Sequence, residues 1–600
     1  MTARAHTHPL DRLDAVLASR RGLRLRLVCP SQEFGAREMS FGVGRWLSSS
    51  RGLWESLYVA REPGLALVML QAPAVGAGVE EHLLGLVPAT PATAADRRAR
   101  HALVEIDDDG GRHLAEKVLA DPRLVERLAR TVALARRHGH TVEGLACFAS
   151  SPRTAALAHA LGTGLLEADV HLLAWGHKSG GRQLFRAAGV PHLPGSYTPD
   201  RDLPSLAARL CALVRVHGPG QWVVKLDHGF GSGHGNAYVT VDGDRADAVE
   251  HALRTSLRPS GAGMRRAEFL ARVGECGAIV ERHAGDVRCS PSALAHLAPS
   301  GPPRVELLGA HDQLVGPAGD FLGCRHPARA AYRDAVEGAS LKVFTALAEL
   351  GVHGHAGVDF LATRDALYAV EVNLRQTGST HPNRTVRAVL PLAPAPPGRL
   401  VTRDGRPVHF RATDSVLSPA SKGTSPASLI AALNASPALR LDPGAGRGVV
   451  PHLWPALERH GKLGATAIGR SAEECDELLR EFAELLDRIG EPGDRPPRTG
   501  TVPLSGAALR TGAAPLSHAA PRVGDAPFSD ADPLTGTAPH TAAPVSDAIP
   551  LSGAAPLAGA VPLTGTAPHT ATTPLSGAAP RAAASPVPAV SGDDPRPVSP

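Results

Sequence analysis

Short apolar runs alternate with longer amphipathic segments over the first 490 positions. LRLRLVCP (23–30), LALVMLQ (65–71) and VEGLACFA (142–149) are apolar runs of strand length and predict short buried strands. HLAEKVLADPRLVERLARTVALARRHG (113–139) repeats its apolar residues at steps of three and four, which predicts helix. Strands alternating with helices predict an α/β layer over 1–175. A second unit, 176–395, carries strand patterns in QWVVKLDHG, GNAYVTVD, GAIVERHAG and GVDFLATRDALYAVEVN, with helical patterns at 180–188 and 328–350. A third piece, 396–490, closes on the helical pattern SAEECDELLREFAELLDRIG (471–490).

The last 110 residues break this pattern. They hold 21 of the 53 prolines, no Lys, Cys, Trp or Tyr, and a single aromatic residue, Phe528. PLTGTAPHTA begins at Pro533 and again at Pro562, and PLSGAAP at Pro550 and again at Pro574. Repeats without helical or strand period cannot bury enough apolar surface to offset chain entropy, so 491–600 is expected to be a disordered low-complexity tail. Lys+Arg 63 against Asp+Glu 58 leaves only +5, and aromatic residues are 4%. That balance argues against a nucleic-acid partner. GLALVMLQAPAV is too short to span a bilayer, and MTARAHTHPLDRLD has no signal-peptide pattern. Seven scattered cysteines form no CxxC pair. The expectation is a cytoplasmic chain with reduced thiols and no membrane partner.

Only six lysines occur, at 117, 178, 225, 342, 422 and 462. A lysine kept in so arginine-biased a chain suits a position that needs a compact point charge. Lys225 stands beside Trp222, Val223 and Val224, where burial without a partner is costly, four residues before a tip holding Gly229, Gly231, Gly233 and Gly235. Glycines let successive N–H groups face one anion, so this hairpin suits a phosphate; it equally suits a plain glycine-rich turn, and no GK[ST] follows. In GVDFLATRDALYAVEVNLRQTGSTHP (357–382), Asp359 ends one apolar run, and Glu371, Asn373 and Arg375 alternate along the returning one, on one face. Pairing the two strands can bring Asp359 opposite them. Two carboxylates and an amide oxygen suit Mg²⁺ held with a nucleotide phosphate, and Arg375 suits an anionic intermediate. The alternative is a solvent-facing strand edge with a routine salt bridge. Lys178 precedes an amphipathic helix and a Gly-Val-Pro turn in GHKSGGRQLFRAAGVPHLPG (176–195), and AIVERHAGD (278–286) is a strand ending in Glu281 and Arg282.

In this order the pieces resemble the ATP-grasp superfamily over 176–395. LAEKVLADPRLVERL, HKSGGRQLFRAAGVPHLPG, EVNLRQTGSTHPNRTV and HGKLGATAIGRSAEECDELL extend the resemblance to 20–490 and narrow it to the pheganomycin-type peptide ligases. The resemblance implies an α/β (α+β) chain: a Rossmann-like pre-ATP-grasp domain over 1–175, the ATP-grasp fold over 176–395 and a small C-terminal domain over 396–490. It implies that Lys178 and Lys225 contact the phosphates of ATP, and that the loop with Gly229, Gly231, Ser232 and Gly233 folds over them. Glu281 and the backbone at Arg282 and Ala284 would line the adenine, with Asp286 at the ribose. Asp359, Glu371 and Asn373 would hold Mg²⁺, and Arg375 would steady an acyl phosphate. The implied activity is an ATP-dependent carboxylate–amine (peptide) ligase of specialised metabolism. It would join small-molecule or peptide carboxylates and amines through an acyl phosphate and release ADP and phosphate. A homodimer is left open.

The chain departs from the family at Gly357, where many ATP-grasp ligases carry an arginine two residues before the metal aspartate. His355, Arg288 and Arg325 are the candidates to replace it. His353 and His355 also form a sparser metal reading with Asp359, and Cys324 is expected to be a packed thiol. Two rival functions remain at this level. One is a carboxylase-like ATP-grasp enzyme, since HGKLGATAIGRSAEEC is similar to the end of biotin-carboxylase-type domains although no MKM motif occurs. The other is a non-catalytic nucleotide-binding scaffold.

Overall fold

A computed structural model describes residues 8–35, 39, 45–228, 235–260, 263–302, 304–316 and 321–490. Gly229, Gly231, Ser232 and Gly233 of the glycine-rich loop, and the tail 491–600, lie outside these residues.

The first layer is a parallel sheet of β1 (Arg24–Cys29), β2 (Leu65–Gln71), β3 (His101–Glu105) and β4 (Thr141–Cys147), in the order β3-β2-β1-β4. All seven residues of β2 are buried, as expected of a parallel strand covered on both faces. Its alternation divides them between two cores. Ala66, Val68 and Leu70 pack with Leu13, Leu128 and Val132 of the flanking helices. Leu65, Leu67 and Met69 pack with Trp54 and with Phe410, Trp454 and Phe482 from much later in the chain. The helical pattern over 113–139 is divided into helices Leu114–Leu119 and Pro122–Arg137. Asp121 caps the second, accepting bonds from the N–H groups of Arg123 and Leu124, and Pro122 occupies the first turn, where its missing N–H costs nothing.

The second layer is an antiparallel sheet of β5 (Gly220–Leu226), β6 (Asn236–Val241), β7 (Arg258–Pro259) and β8 (Ala278–Arg282), ordered β7-β6-β5-β8. Trp222, Val224, Leu226, Ala278 and Val280 turn toward helices Leu203–His217, Ala246–Thr255 and Arg266–Cys276. Strand alternation sends Val223, Lys225 and Glu281 to the opposite face.

The third layer is an eight-stranded sheet. It comprises β9 (Pro291–Leu297), β10 (Val305–Val315), β11 (Phe321–His326), β12 (Gly354–Ala362), β13 (Leu367–Asn373), β14 (His409–Leu417), β15 (Gly448–His452) and β16 (Lys462–Gly469). The order is β13-β12-β9-β10-β11-β14-β16-β15. Helix Ala330–Glu349 closes the face of β9, β10 and β12 through Val336, Val343, Phe344 and Leu347. Residues 396–490 thus extend the sheet begun by 291–373, because β14 pairs with β11. No helix among the described residues is long and apolar enough to cross a membrane. The seven cysteines are free, and Cys324 is fully buried, its thiol pushed up to about 12 by burial.

Candidate active site

The two lysines singled out above are brought together by one residue, Asp227, just past β5. Its carbonyl accepts the Lys178 N–H at 2.9 Å and its Oδ1 accepts the Ser179 N–H at 2.7 Å. The end of β5 is thereby fixed to the first turn of helix Lys178–Ala187, where an acidic group also meets the helix dipole. Burial opposes ionisation of Asp227, but the bonds from His177 and Ser179 prevail and hold it below the usual carboxylate range.

Lys178 reaches from that turn to Glu371, Nζ to Oε1 2.6 Å. Glu371 lies on β13 directly across from Asp359 on β12, as the antiparallel register pairs them. Asn373 donates from Nδ2 to Asp359 Oδ2 at 3.0 Å, and Gln313 of β10 donates to Asp359 Oδ1 at 2.9 Å. Burial and the neighbouring charge of Glu371 push Asp359 up, while Lys178 outweighs burial and draws Glu371 down. Arg375 follows on the same segment, with its guanidinium 5.4 Å from the ring of Phe34 and 5.8 Å from that of Phe148. Burial lowers its pKa against the opposing charges of Glu371 and Asp359. An isolated bridge between Ala149 and Arg375 carries the end of β4 to this side of the site.

On the neighbouring sheet, Lys225 and Glu281 are diagonal partners on β5 and β8 and form an ion pair. Arg182, 1% exposed, holds the other oxygen of Glu281 at 2.5 Å and also donates to the carbonyls of Ser196 and Leu193, each at 2.8 Å. Gly195 allows this close approach, since a Cβ there would lie 2.3 Å from the Val280 carbonyl. Burial would raise Glu281, but Lys225 and Arg182 hold it low. Its side chain is therefore spanned by two cations. The Arg282 N–H is bonded to the Pro194 carbonyl at 2.8 Å, and its guanidinium covers Trp222. Ala284 is half-buried in the following turn, and exposed Asp286 pairs with Arg288 at 2.5 Å.

The structure thus gathers Lys178, Lys225, Glu281, Asp359, Glu371, Asn373 and Arg375. It also gathers Gln313, Arg182 and Asp227, which sequence reasoning missed. The candidates to replace the family arginine near Gly357 are engaged elsewhere. His355 is bonded to Glu167 through Nδ1 at 2.7 Å, Arg288 is paired with Asp286, and Arg325 with Asp476 at 3.2 Å. His353 contacts the Leu165 carbonyl at 3.4 Å. Neither histidine joins Asp359 in a metal cluster among the described residues.

The raised pKa of Asp359 carries a stability prediction. A folded value above the unfolded one means that the favourable contribution is present below the ordinary aspartate value, near about 4, and is lost as pH rises through the raised value. Asp359→Asn is therefore expected to stabilise the chain at about pH 8, free of nucleotide and divalent cation, by on the order of 1 kcal/mol, and to leave it unchanged near about pH 4. Urea midpoints of both proteins at the two pH values measure this; equal midpoints at the higher pH would contradict it.

No protein-family model matches the chain. Among curated proteins, L-propargylglycine–L-glutamate ligase of Streptantibioticus cattleyicolor is 33% identical over 438 residues, which is 71% of this chain and 86% of that protein. Among solved structures, biotin carboxylase of Campylobacter jejuni in complex with β,γ-ATP aligns over 78% of this chain and 95% of its own, at 12% identity and a TM-score of 0.46. The biotin carboxylase domain of the Hydrogenobacter thermophilus 2-oxoglutarate carboxylase aligns over 79% and 95%, at 14% identity and a TM-score of 0.46. The identity to the curated ligase extends over most of both chains, and it places this chain in the ATP-grasp ligase family.

Proposed function

We propose that this ligase joins the carboxylate of one amino acid to the amine of another, with Asp359, Glu371 and Asn373 as the magnesium ligands, Lys178 and Lys225 as the phosphate-binding cations, and Arg375 as the cation at the reacting carboxyl. The observation that carries the reading is the β12–β13 register, which sets Asp359 against Glu371 with the Lys178 ammonium on Glu371. The substrate class follows the name of the relative, a ligase of two amino acids.

The donor set fits the ion. Two carboxylates and an amide oxygen are hard ligands, and the site already balances its negative charge with the Lys178 cation. Magnesium bound there would neutralise phosphate oxygens of the nucleotide. The chain's own residues supply the rest. A carboxylate is a poor acyl donor, and transfer of the γ-phosphoryl group to it demands in-line placement and charge neutralisation more than covalent help. Lys178 and Lys225 would exchange their carboxylate partners for phosphate. Arg182 keeps Glu281 compensated when Lys225 turns away, so the exchange does not strand a buried charge. Arg375 is positioned between the carboxylate pair and the Phe34–Phe148 rings, where it would stabilise the oxyanion as the amine attacks and phosphate leaves. Adenine contacts from Arg282 and Ala284, and a ribose contact from Asp286, belong to the same proposal, as does closure of the loop holding Gly229, Gly231, Ser232 and Gly233.

Incubation of the protein with ATP, Mg²⁺ and a pool of amino acids tests this. The expected result is release of ADP together with a product lighter by one water than its two components. Formation of AMP with such a product would mean adenylation and overturn the mechanism.

A further inference from the structure

Away from the residues assigned to ATP and magnesium, three side chains from three elements turn their ligating atoms onto one point. They are His381 in helix Thr380–Val389, Asp414 on β14 and His452 on β15. His381 Nε2 and His452 Nε2 are 3.1 Å apart, and Asp414 Oδ1 is 2.9 Å from His452 Nε2 and 3.7 Å from His381 Nε2. Linear hydrogen bonds do not satisfy all three atoms at once. An imidazole nitrogen presents a single in-plane lobe, either an N–H or a lone pair. His452 Nε2 can thus make one linear bond, to His381 or to Asp414, and only a bent three-centre bond would reach both. The separations match ligand atoms around a tetrahedral ion instead, since bonds of about 2.0–2.1 Å give edges of about 3.3–3.4 Å.

The surrounding chain is built to aim these groups. Gly464 on β16 is paired with His452, and a Cβ at that position would lie 2.2 Å from the imidazole. Asp414 falls where the β14–β16 ladder slips between Thr413 and Val416, the kind of irregularity that redirects a side chain. Arg51 pairs with the second oxygen of Asp414, which leaves Oδ1 to the cluster, as outer partners do for ligating carboxylates. His381 and His452 line a cavity together with Ser50, Thr385 and Trp454. Trp454 is 1% exposed, and its indole N–H has no protein acceptor among the described residues.

We propose that His381, Asp414 and His452 bind a zinc-class divalent transition-metal ion at a site separate from that of magnesium, with its remaining coordination position turned to this cavity. Two imidazoles and one carboxylate suit zinc, whereas magnesium prefers oxygen throughout. The ion would tie the helix that follows the Arg375 segment to the C-terminal strands.

The test is uptake of Zn²⁺ and Co²⁺ by the full-length, tag-free chain after stripping with a chelator. One equivalent of tightly bound Zn²⁺ is expected, and Co²⁺ should give the visible absorption of a tetrahedral ion. His381→Ala and His452→Ala, checked as folded by circular dichroism, should weaken uptake by at least about 100-fold, more than loss of an outer partner does. Glu371→Gln should retain the full equivalent. Failure of the stripped wild-type chain to take up an equivalent would overturn the proposal without recourse to any variant. So would uptake unchanged by both histidine substitutions, or lost in Glu371→Gln instead.

Discussion

Replacing Glu371 by alanine is expected to lower kcat/KM by about 10³-fold, the loss of about 4 kcal/mol of transition-state stabilisation. Glu371 is the residue through which the site is assembled. It faces Asp359 across the β12–β13 ladder and holds the Lys178 ammonium at 2.6 Å. Its removal leaves Asp359 and Asn373 as the remaining oxygen donors and frees Lys178 from its position. It also removes the charge that helps to push Asp359 up. Folding should survive, because Glu371 is only half-buried and lies at the sheet's edge strand. Steady-state kinetics with a matching thermal melt measure this. A loss below 10-fold would mean that Glu371 is a structural partner of Lys178 and no more.

Replacing Arg182 by methionine should have the largest effect on stability. Its guanidinium is buried among three acceptors: Glu281 and the carbonyls of Ser196 and Leu193. Methionine fills much of the volume but leaves the two carbonyls without a donor and Glu281 compensated by Lys225 alone. Breaking a buried pair in this way costs about 3 kcal/mol. Adding Glu281→Gln to the same chain should cost less than the same substitution costs in the wild type, since the Arg182–Glu281 pair is already broken. Urea denaturation of the wild type, both single variants and the double variant measures the coupling. Additive effects would contradict the pairing.

The parts of this site that were legible beforehand depend on local periodicity. Glu371, Asn373 and Arg375 share a face because strands alternate, and Asp359 meets them because GVDFLATRDALYAVEVN folds back on itself within a short turn. β1, β2 and β4 were legible as apolar runs, and 491–600 separated by composition. Gln313 was not legible. β10 reaches Asp359 only because β9 lies between β10 and β12, a long-range order that HDQLV does not encode. Arg182 sits in a helix whose pattern reads as amphipathic, and nothing local shows that this arginine turns inward to Glu281, 99 residues later. The C-terminal piece hid its placement for the same reason, since β14 finds its partner in β11 across the whole of β12 and β13. The convergence of His381 with His452, 71 residues away, likewise has no sequence signal.

The central claim, carboxylate activation by phosphoryl transfer, is tested most directly by labelling the acid found in the amino-acid screen with ¹⁸O in its carboxylate. Attack of that oxygen on the γ-phosphorus predicts one ¹⁸O in the inorganic phosphate released per amide formed, with label release slowed in step with amide formation when Lys225→Ala or Glu371→Ala is used. Label recovered in AMP, or unlabelled phosphate accompanying a normal yield of amide, would contradict the account.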